Sequence, residues 1–237
     1  RKENNPLPSK EDNWIIRDKL YMNKTDLKLY AITDRQWLHG ARLSEHVKLA
    51  IEGGATMIQI RDKDILSTDS DAGLKDEYNE ALEIKRICHE HKVPLIINDN
   101  VQFAIDIDAD GVHLGQDDMN PAEARKLLGT DKIIGVTAKT VEQAKRAEAD
   151  GADYLGSGAV FGSTTKLNAK PMTKELLREI TEAVNIPVVA IGGINADNAS
   201  TLNGTGIAGI AVVGAIFASA DIKGAAKELA EICDKML

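Results

Sequence analysis

Three polar residues at alternating positions indicate an anion-binding site. Gln59, Arg61 and Lys63 are spaced by two, so a β-strand would place all three on one face. Facing a cavity, they would present an amide and two cations, and an arginine can hold two phosphate oxygens at once. The alternative is an edge strand with solvated charges, but the preceding Met57 and Ile58 are typical of a core strand. The spacing therefore predicts a site for a phosphorylated ligand.

Two aspartates follow neighbouring apolar runs and could together bind a metal ion. Asp99 comes directly after residues 94–98, and Asp118 follows residues 111–114 after a short turn. Two carboxylates held close together repel each other strongly unless a cation lies between them. Mg²⁺ prefers such oxygens and completes its shell with water and substrate phosphates. We predict a magnesium site at Asp99 and Asp118, with Asp117 facing solvent. The alternative is that either aspartate only caps the helix that follows.

Glycine-containing segments near the C-terminus predict a second anion site. The segment AIGGI at 190–194 precedes a helix, and VVGAI at 212–216 repeats the pattern. Glycine lets the backbone approach a phosphate, and a helix N-terminus supplies N–H donors. The hydroxyl-rich loop Ser163-Thr164-Thr165-Lys166 could close over the same anion or form an exposed polar loop. His113 lies inside an apolar run, which favours a hydrogen-bonded interior histidine over a catalytic base.

The candidate residues share one position, because each lies at the end of a run of strand length or just after it. Eight apolar runs alternate with amphipathic segments, and their continuous character indicates strands buried on both faces. The predicted strands are 27–33, 57–61, 94–98, 111–114, 133–137, 154–157, 187–191 and 209–213. The predicted helices are 44–52, 76–91, 102–106, 121–128, 141–149, 173–183, 197–202 and 221–236, with Ser44 as the first cap. Turns rich in Gly and Asp recur before the strands. The pattern predicts an α/β fold, a closed (β/α)8 TIM barrel, whose active site lies at the C-terminal ends of the strands.

Bulk composition limits the domain count and the partners. The chain has 237 residues, is 43% hydrophobic and carries a net charge of -8. We predict a single TIM-barrel catalytic domain over residues 27–237 with an N-terminal extension over 1–26. The acidic balance argues against nucleic-acid binding, and no apolar run reaches membrane-spanning length. Two isolated cysteines, Cys88 and Cys233, favour a cytoplasmic location. Assembly into a homo-oligomer stays open.

Taken in order, these motifs resemble the thiamine-phosphate synthase (thiamine-phosphate pyrophosphorylase) family from residue 27 to the C-terminus. The motifs that carry the resemblance are LYAITD at 29–34, QIRDK at 59–63, IND at 97–99, DGVHLGQDD at 110–118, GVT at 135–137, Thr165-Lys166, and GGI at 192–194. The resemblance implies a (β/α)8 barrel and a Mg²⁺-dependent alkyl transferase of thiamine biosynthesis. The implied substrates are 4-amino-2-methyl-5-hydroxymethylpyrimidine diphosphate and 4-methyl-5-(2-hydroxyethyl)thiazole phosphate. The implied products are thiamine phosphate and diphosphate.

The resemblance also implies a role for each site residue. Asp99 and Asp118 would bind Mg²⁺, and Thr137 would lie near the pyrimidine and the leaving group. The diphosphate would be held by Gln59, Arg61, Lys63, Asn98 and Lys166, and the thiazole phosphate by Ser163, Thr165, Gly193, Val213 and Gly214. Of these, Arg61, Lys63, Lys166 and Thr137 would be catalytic, because they stabilise leaving-group charge or lie at the reacting centre.

Three positions depart from the family pattern, and other functions remain open. Lys139 stands where histidine is common, Gly162 where proline is common, and Gly214 where serine is common. One rival is a thiazole tautomerase, which as a family relies on that histidine and has little use for two metal-binding aspartates. A sugar-phosphate isomerase or epimerase would need a pair of bases without a diphosphate clamp. A non-catalytic barrel that binds a phosphorylated ligand is the rival from another class.

Overall fold

The barrel closes through eight parallel strands. The computed structural model describes residues 24–61, 71–162 and 171–237. Each strand pairs with the next in sequence, and β8 returns to pair with β1. The strands are β1 Leu29–Ile32, β2 Met57–Ile60, β3 Leu95–Asn98, β4 Gly111–Leu114, β5 Ile133–Thr137, β6 Tyr154–Gly158, β7 Val188–Ile191 and β8 Gly209–Val212. The predicted fold class and all eight predicted strands are confirmed, with ends that differ by two residues at most.

Helices surround the strands, and most of them lie where the sequence predicts. They are α1 Leu43–Glu52, α2 Asp71–Glu90, α3 Val101–Asp106, α4 Pro121–Leu128, α5 Val141–Ala149, α6 Lys174–Ala183, α7 Gly214–Phe217 and α8 Ile222–Met236. Four details of the prediction are wrong, and the first is that α2 begins at Asp71, five residues before the predicted start. The segment predicted as a helix at 197–202 is a short 3-10 turn, Ala199–Leu202, and α7 was not predicted. Ser44 does not cap α1, because it is a buried residue inside the helix.

Apolar side chains form two layers, one inside the barrel and one between strands and helices. Along β2, Met57 belongs to the inner layer, whereas Ile58 and Ile60 belong to the outer one. This alternation follows from the two-residue period of a strand. The inner layer is small and includes Leu27, Tyr30, Ile32, Met57, Ile96, Ile133, Tyr154, Val189 and Ala211. Polar side chains at inward positions of the strands therefore lie inside the barrel or at its mouth.

Short polar residues stabilise the N-terminal end of the barrel. Asp110 accepts a hydrogen bond from the backbone N–H of Leu95 at 2.8 Å, and Asp153 accepts from Ile134 at 2.7 Å. Each aspartate thus ties the start of one strand to the turn before the next. Arg125 on α4 holds Asp153 at 2.6 Å, so the outer helix is joined to the same end. These contacts leave the opposite, C-terminal end free for the site.

Two global features bear on the sequence predictions. In the described ranges, every helix is too short or too polar to cross a membrane. Cys88 and Cys233 are both buried as free thiols, and burial raises the pKa of the Cys233 thiol to about 12. The extension predicted over 1–26 lies outside the described residues up to residue 23.

Candidate active site

The structure brings the two predicted metal ligands together. Asp99 follows β3 and Asp118 follows β4, and these strands are neighbours. The pKa of the Asp99 carboxyl is raised to about 6. The largest cause is loss of solvent around it, followed by a hydrogen bond and charge repulsion from Asp118. Asn98 donates to Asp99 Oδ2 at 2.6 Å, and the backbone N–H of Gly115 donates to Asp118 Oδ2 at 2.6 Å. Two carboxylates at hydrogen-bond distance are an arrangement that a divalent cation would stabilise.

Neither aspartate caps the helix that follows it. The residue that caps α3 is Asn100, which accepts from Phe103 N–H at 2.9 Å. Asn120 does the same for α4, accepting from Ala122 N–H at 2.9 Å. Asp99 instead has a left-handed backbone with φ of 61°. The alternative that either aspartate only caps the following helix is therefore wrong, because Asn100 and Asn120 are the caps.

Arg61 follows β2 and lies near enough to Asp99 for its positive charge to act on that carboxyl. Its backbone N–H donates to the buried Thr33 hydroxyl at 3.1 Å, which fixes the chain where β2 ends. Its guanidinium lies 3.7 Å from Asp34 and opposes the rise in the pKa of Asp99. Asp34 caps the short 3-10 helix Arg35–Trp37, accepting a hydrogen bond from Gln36 N–H at 3.0 Å. Arg61 thus supplies a positive charge at the rim that carries both aspartates.

A chain of hydrogen-bonded side chains, from fully to partly buried, lies in the barrel interior below this rim. Gln59 Nε2 donates to the Tyr30 hydroxyl at 2.5 Å, and the Tyr30 and Tyr154 hydroxyls lie 2.8 Å apart. Tyr154 contacts His113 Nδ1 at 3.0 Å, and His113 Nε2 contacts Thr137 Oγ1 at 3.0 Å. The predicted role of His113 as a hydrogen-bonded interior residue is confirmed by these contacts. Burial lowers its pKa to about 4, so the ring is neutral near pH 7.

Sequence reasoning missed Tyr30 and Tyr154. Both side chains are buried, and both belong to the inner layer. A signal was available, because a buried tyrosine needs a partner for its hydroxyl and each residue stands within an apolar strand.

Glu80 on α2 was also missed. It accepts from Leu43 N–H at 2.9 Å and from Arg35 at 2.9 Å, so it fixes the loop after β1 and the start of α1.

The predicted phosphate loops follow β7 and β8. Gly192 and Gly193 have φ of 102° and 66°, conformations that side-chain-bearing residues rarely adopt. A Cβ at Gly193 would lie 2.9 Å from the carbonyl oxygen of Phe161, so the loop after β6 lies close to it. Gly214 is the first residue of α7, and a Cβ there would lie 3.2 Å from the ring of Trp37. Both loops expose backbone at the C-terminal end of the barrel.

Several predicted site residues cannot be located in this structure. Lys63, Ser163, Thr165 and Lys166 lie outside the described residues. Among the departures from the family pattern, Lys139 is exposed after β5, and its backbone N–H donates to Gln143 at 2.7 Å. Gly162 has φ of 83°, which proline cannot adopt, so this backbone conformation is compatible with glycine and not with the proline common in the family. The predicted site residues that the structure describes are therefore Gln59, Arg61, Asn98, Asp99, Asp118, Thr137, Gly193, Val213 and Gly214.

Comparisons with known proteins agree with this geometry. The family model described as thiamine monophosphate synthase matches residues 29–216. A thiamine-phosphate synthase of Ruminiclostridium cellulolyticum is 48% identical over 210 residues, covering 89% of this chain and 97% of that protein. One from Clostridium novyi is 49% identical over 206 residues, covering 86% and 98%.

A solved structure extends the agreement to three dimensions. The thiamine phosphate pyrophosphorylase of Pyrococcus furiosus superimposes with a TM-score of 0.80 at 39% identity, covering 90% of this chain and 98% of that one. The range matched by the family model, residues 29–216, includes the strands that precede the aspartates, Arg61 and the glycine loops. The chain therefore belongs to the thiamine monophosphate synthase family and is a transferase of thiamine biosynthesis.

Proposed function

We propose that the chain joins 4-amino-2-methyl-5-hydroxymethylpyrimidine diphosphate to 4-methyl-5-(2-hydroxyethyl)thiazole phosphate, forming thiamine phosphate and diphosphate. Family membership supports the reaction class. The observation that carries the detailed proposal is the meeting of Asp99 and Asp118 beside Arg61 at one rim of the barrel. A diphosphate and its metal ion need such a combination of two carboxylates and a cation.

The donor set fits a magnesium ion. Asp99 and Asp118 offer carboxylate oxygens after neighbouring strands, and loss of solvent, followed by the hydrogen bond and repulsion from Asp118, raises the pKa of Asp99. Two carboxylates leave most of an octahedral shell for water and phosphate oxygens, which is the usual arrangement for Mg²⁺ at a diphosphate. When bound, the ion would offset the negative charge on the departing diphosphate.

The diphosphate site combines described and predicted residues. Arg61 follows β2 and its charge acts on Asp99, and Asn98 ends β3 and donates to Asp99. Gln59 is only 2% exposed and donates to Tyr30, so a diphosphate contact from its Nε2 would require that hydrogen bond to break. Lys63 and Lys166 stay predicted ligands.

The thiazole phosphate would bind the backbone of the two glycine loops. Gly193 and Gly214 supply positions where no side chain blocks the approach of an anion. The Gly193 loop is held in place, because Asn198 donates to the Gly193 carbonyl at 2.9 Å. Val213 precedes Gly214 at the start of α7. Ser163 and Thr165 stay predicted contributors from the loop after β6.

The reaction needs charge stabilisation and orientation rather than a protein nucleophile. The amino group of the pyrimidine can feed electrons toward its methylene carbon, so the C–O bond to diphosphate can break before the thiazole nitrogen attacks. The barrier is then mainly the charge that grows on the leaving group, which Arg61 and the two predicted lysines would stabilise. Thr137 lies at the end of β5, where the pyrimidine methylene is expected. Holding both substrates in one mouth supplies the orientation.

Diphosphate release tests the proposal against its rivals. The enzyme should release diphosphate only when both substrates and Mg²⁺ are present. Asp99→Asn should remove Mg²⁺-dependent turnover, whereas Asp117→Asn, the same charge change on an exposed neighbour, should retain it. Isomerisation of a thiazole phosphate without diphosphate release would favour a thiazole tautomerase, and binding without turnover would favour a non-catalytic barrel. Turnover in the cytoplasm and a homo-oligomer stay predictions of the sequence.

A further inference from the structure

The loop after β1 stands between the two anion sites of the proposed function. In the closed barrel, β1 pairs with β2 on one side and with β8 on the other. Arg61 follows β2, and Gly214 follows β8. Because parallel strands of a barrel end at the same rim, the loop after β1 lies between these two residues. We name residues 34–37, which come just after β1, the β1 turn.

The two ends of the β1 turn contact the two neighbouring loops. At its start, the Asp34 carboxylate lies 3.7 Å from the Arg61 guanidinium. At its end, the Trp37 ring lies against Gly214. A Cβ built on Gly214 would be 3.2 Å from Cη2 and 3.5 Å from Cζ2 of the indole. The indole edge therefore borders the space that a side chain at position 214 would need.

Hydrogen bonds fix the backbone that carries the indole. Residues Arg35–Trp37 form a short 3-10 helix, and its cap Asp34 accepts from the backbone N–H of Gln36 at 3.0 Å. The N–H of Leu38 donates to the Arg35 carbonyl at 3.2 Å, which closes the turn behind Trp37. The β1 turn thus has a defined conformation on both sides of the ring.

An ion pair joins the β1 turn to α2. Glu80 Oε2 accepts from the Arg35 guanidinium at 2.9 Å, and Glu80 Oε1 accepts from the N–H of Leu43 at 2.9 Å. The Glu80 side chain is only 12% exposed, so solvent and salt screen these contacts little. One carboxylate therefore holds the connection between β1 and α1 at two points, and Trp37 lies between them.

The Trp37 side chain covers one side of Gly214 with apolar surface. It is partly buried and packs against the outer apolar layer. An indole is a rigid ring that fills much space at a low cost in side-chain freedom. Its edge keeps water from the side of Gly214 that it contacts. Hydrogen bonds from backbone N–H groups to an anion are stronger where water is kept away.

We propose that Trp37 forms one wall of the thiazole-phosphate site and limits the anion at Gly214 to a single phosphate group. The ring closes the side of Gly214 that it contacts, so a longer anion has no room to extend there. The same ring keeps the diphosphate of the other substrate on the Arg61 side of the β1 turn. The identity of the ligand at Gly214 rests on the proposed function.

The first test uses the fluorescence of the ring itself. The chain has two tryptophans, Trp14 and Trp37, so the emission of Trp14→Phe reports Trp37 alone. Addition of 4-methyl-5-(2-hydroxyethyl)thiazole phosphate should change this emission along a saturating curve. The same thiazole without its phosphate, at equal concentration, should leave the emission unchanged. An emission that stays constant while calorimetry shows the thiazole phosphate binding would overturn the proposal.

The second test separates the two substrates. Trp37→Leu should raise the KM for the thiazole phosphate about tenfold and change the KM for the pyrimidine diphosphate less than about twofold. Trp37→Phe, which keeps an aromatic ring, should restore most of the loss. Tyr78→Leu removes an aromatic ring from the surface of α2 and is the matched control, with both KM values unchanged. Equal rises in both KM values for Trp37→Leu would assign the ring a merely structural role.

A double variant tests the contact between the ring and Gly214. Gly214→Ala should raise the KM for the thiazole phosphate in the wild type, because its methyl group meets the indole at 3.2 Å. In the Trp37→Leu background the same change should add little, because the indole is gone. Losses that multiply would show that the two residues act independently, and the proposed wall would be wrong.

A displacement experiment tests the limit on anion size. Labelled thiazole phosphate is bound in equilibrium dialysis, and excess inorganic diphosphate is added. Diphosphate should displace the label from Trp37→Leu and leave it bound to the wild type. Equal displacement from both proteins would overturn the size limit.

The outcomes distinguish this inference from the proposed function. If the wild type releases no diphosphate from the two substrates while thiazole phosphate changes the Trp37 emission, the proposed function fails and the wall stands. If turnover proceeds as proposed while Trp37→Leu leaves both KM values unchanged, the wall fails and the proposed function stands.

Discussion

Replacing Asp99 with asparagine should separate stability from metal binding. The wild-type carboxylate is close enough to Asp118 that its pKa rises from 3.8 to about 6, with loss of solvent as the larger cause. Asparagine removes the charge and keeps the shape. It also suits the left-handed backbone at this position, φ of 61°, which Asn and Asp adopt more readily than other side-chain-bearing residues. The metal-free variant should therefore be at least as stable as the wild type.

The size of the gain follows from the shift in pKa. A pKa rise from 3.8 to about 6 would correspond to about 3 kcal/mol of lost stability if the carboxyl were fully shielded from solvent. Although neighbouring groups displace part of its surrounding water, Asp99 is still exposed to solvent, so screening reduces the expected gain to about 1 kcal/mol. Metal binding acts in the opposite sense. Mg²⁺ at a hundred times its Kd should stabilise the wild type by about 2.7 kcal/mol, and the variant should gain far less.

Urea unfolding measures both effects in one experiment. The free energy of unfolding is compared in EDTA and in excess Mg²⁺ for the wild type, Asp99→Asn and Asp117→Asn. Asp117→Asn makes the same change in net charge on an exposed residue, so it should retain the response to Mg²⁺. A large loss of stability in metal-free Asp99→Asn, together with a wild-type response to Mg²⁺, would refute both the repulsion and the assignment of Asp99 as a ligand.

Three further changes test other parts of the site. The pKa of His113 is lowered from 6.5 in the unfolded chain to about 4 in the folded one, so the neutral ring contributes to the free energy of unfolding above pH 6.5. This contribution, up to about 3 kcal/mol, is lost as pH falls toward 4. Urea unfolding of His113→Asn should therefore show a flatter pH dependence than the wild type. Glu80→Ala should lower the free energy of unfolding by about 2 kcal/mol, because the N–H of Leu43 loses its acceptor; an unchanged urea midpoint would contradict this role. Gly214→Ala places a methyl group 3.2 Å from Trp37 and should raise the KM for the thiazole phosphate several-fold at unchanged Mg²⁺ dependence, whereas an unaltered KM would place the phosphate elsewhere.

The sequence by itself determined the barrel and much of its rim. A strand places every second side chain on one face, so the alternation of Met57, Gln59 and Arg61 could be interpreted without coordinates. Parallel strands in a barrel bring their C-terminal ends to one edge. The positions of Asp99 and Asp118 after successive strands therefore already predicted that their carboxylates would be neighbours. These are local periodicities combined with one topological rule.

Other features depended on which side chains meet after the barrel closes. Tyr30 and Tyr154 are 124 residues apart, and their contact depends on closure and on the register of the strands between them. Asn100 and Asn120 cap the helices in place of the aspartates because the helices begin one or two residues later, a difference that periodicity does not resolve.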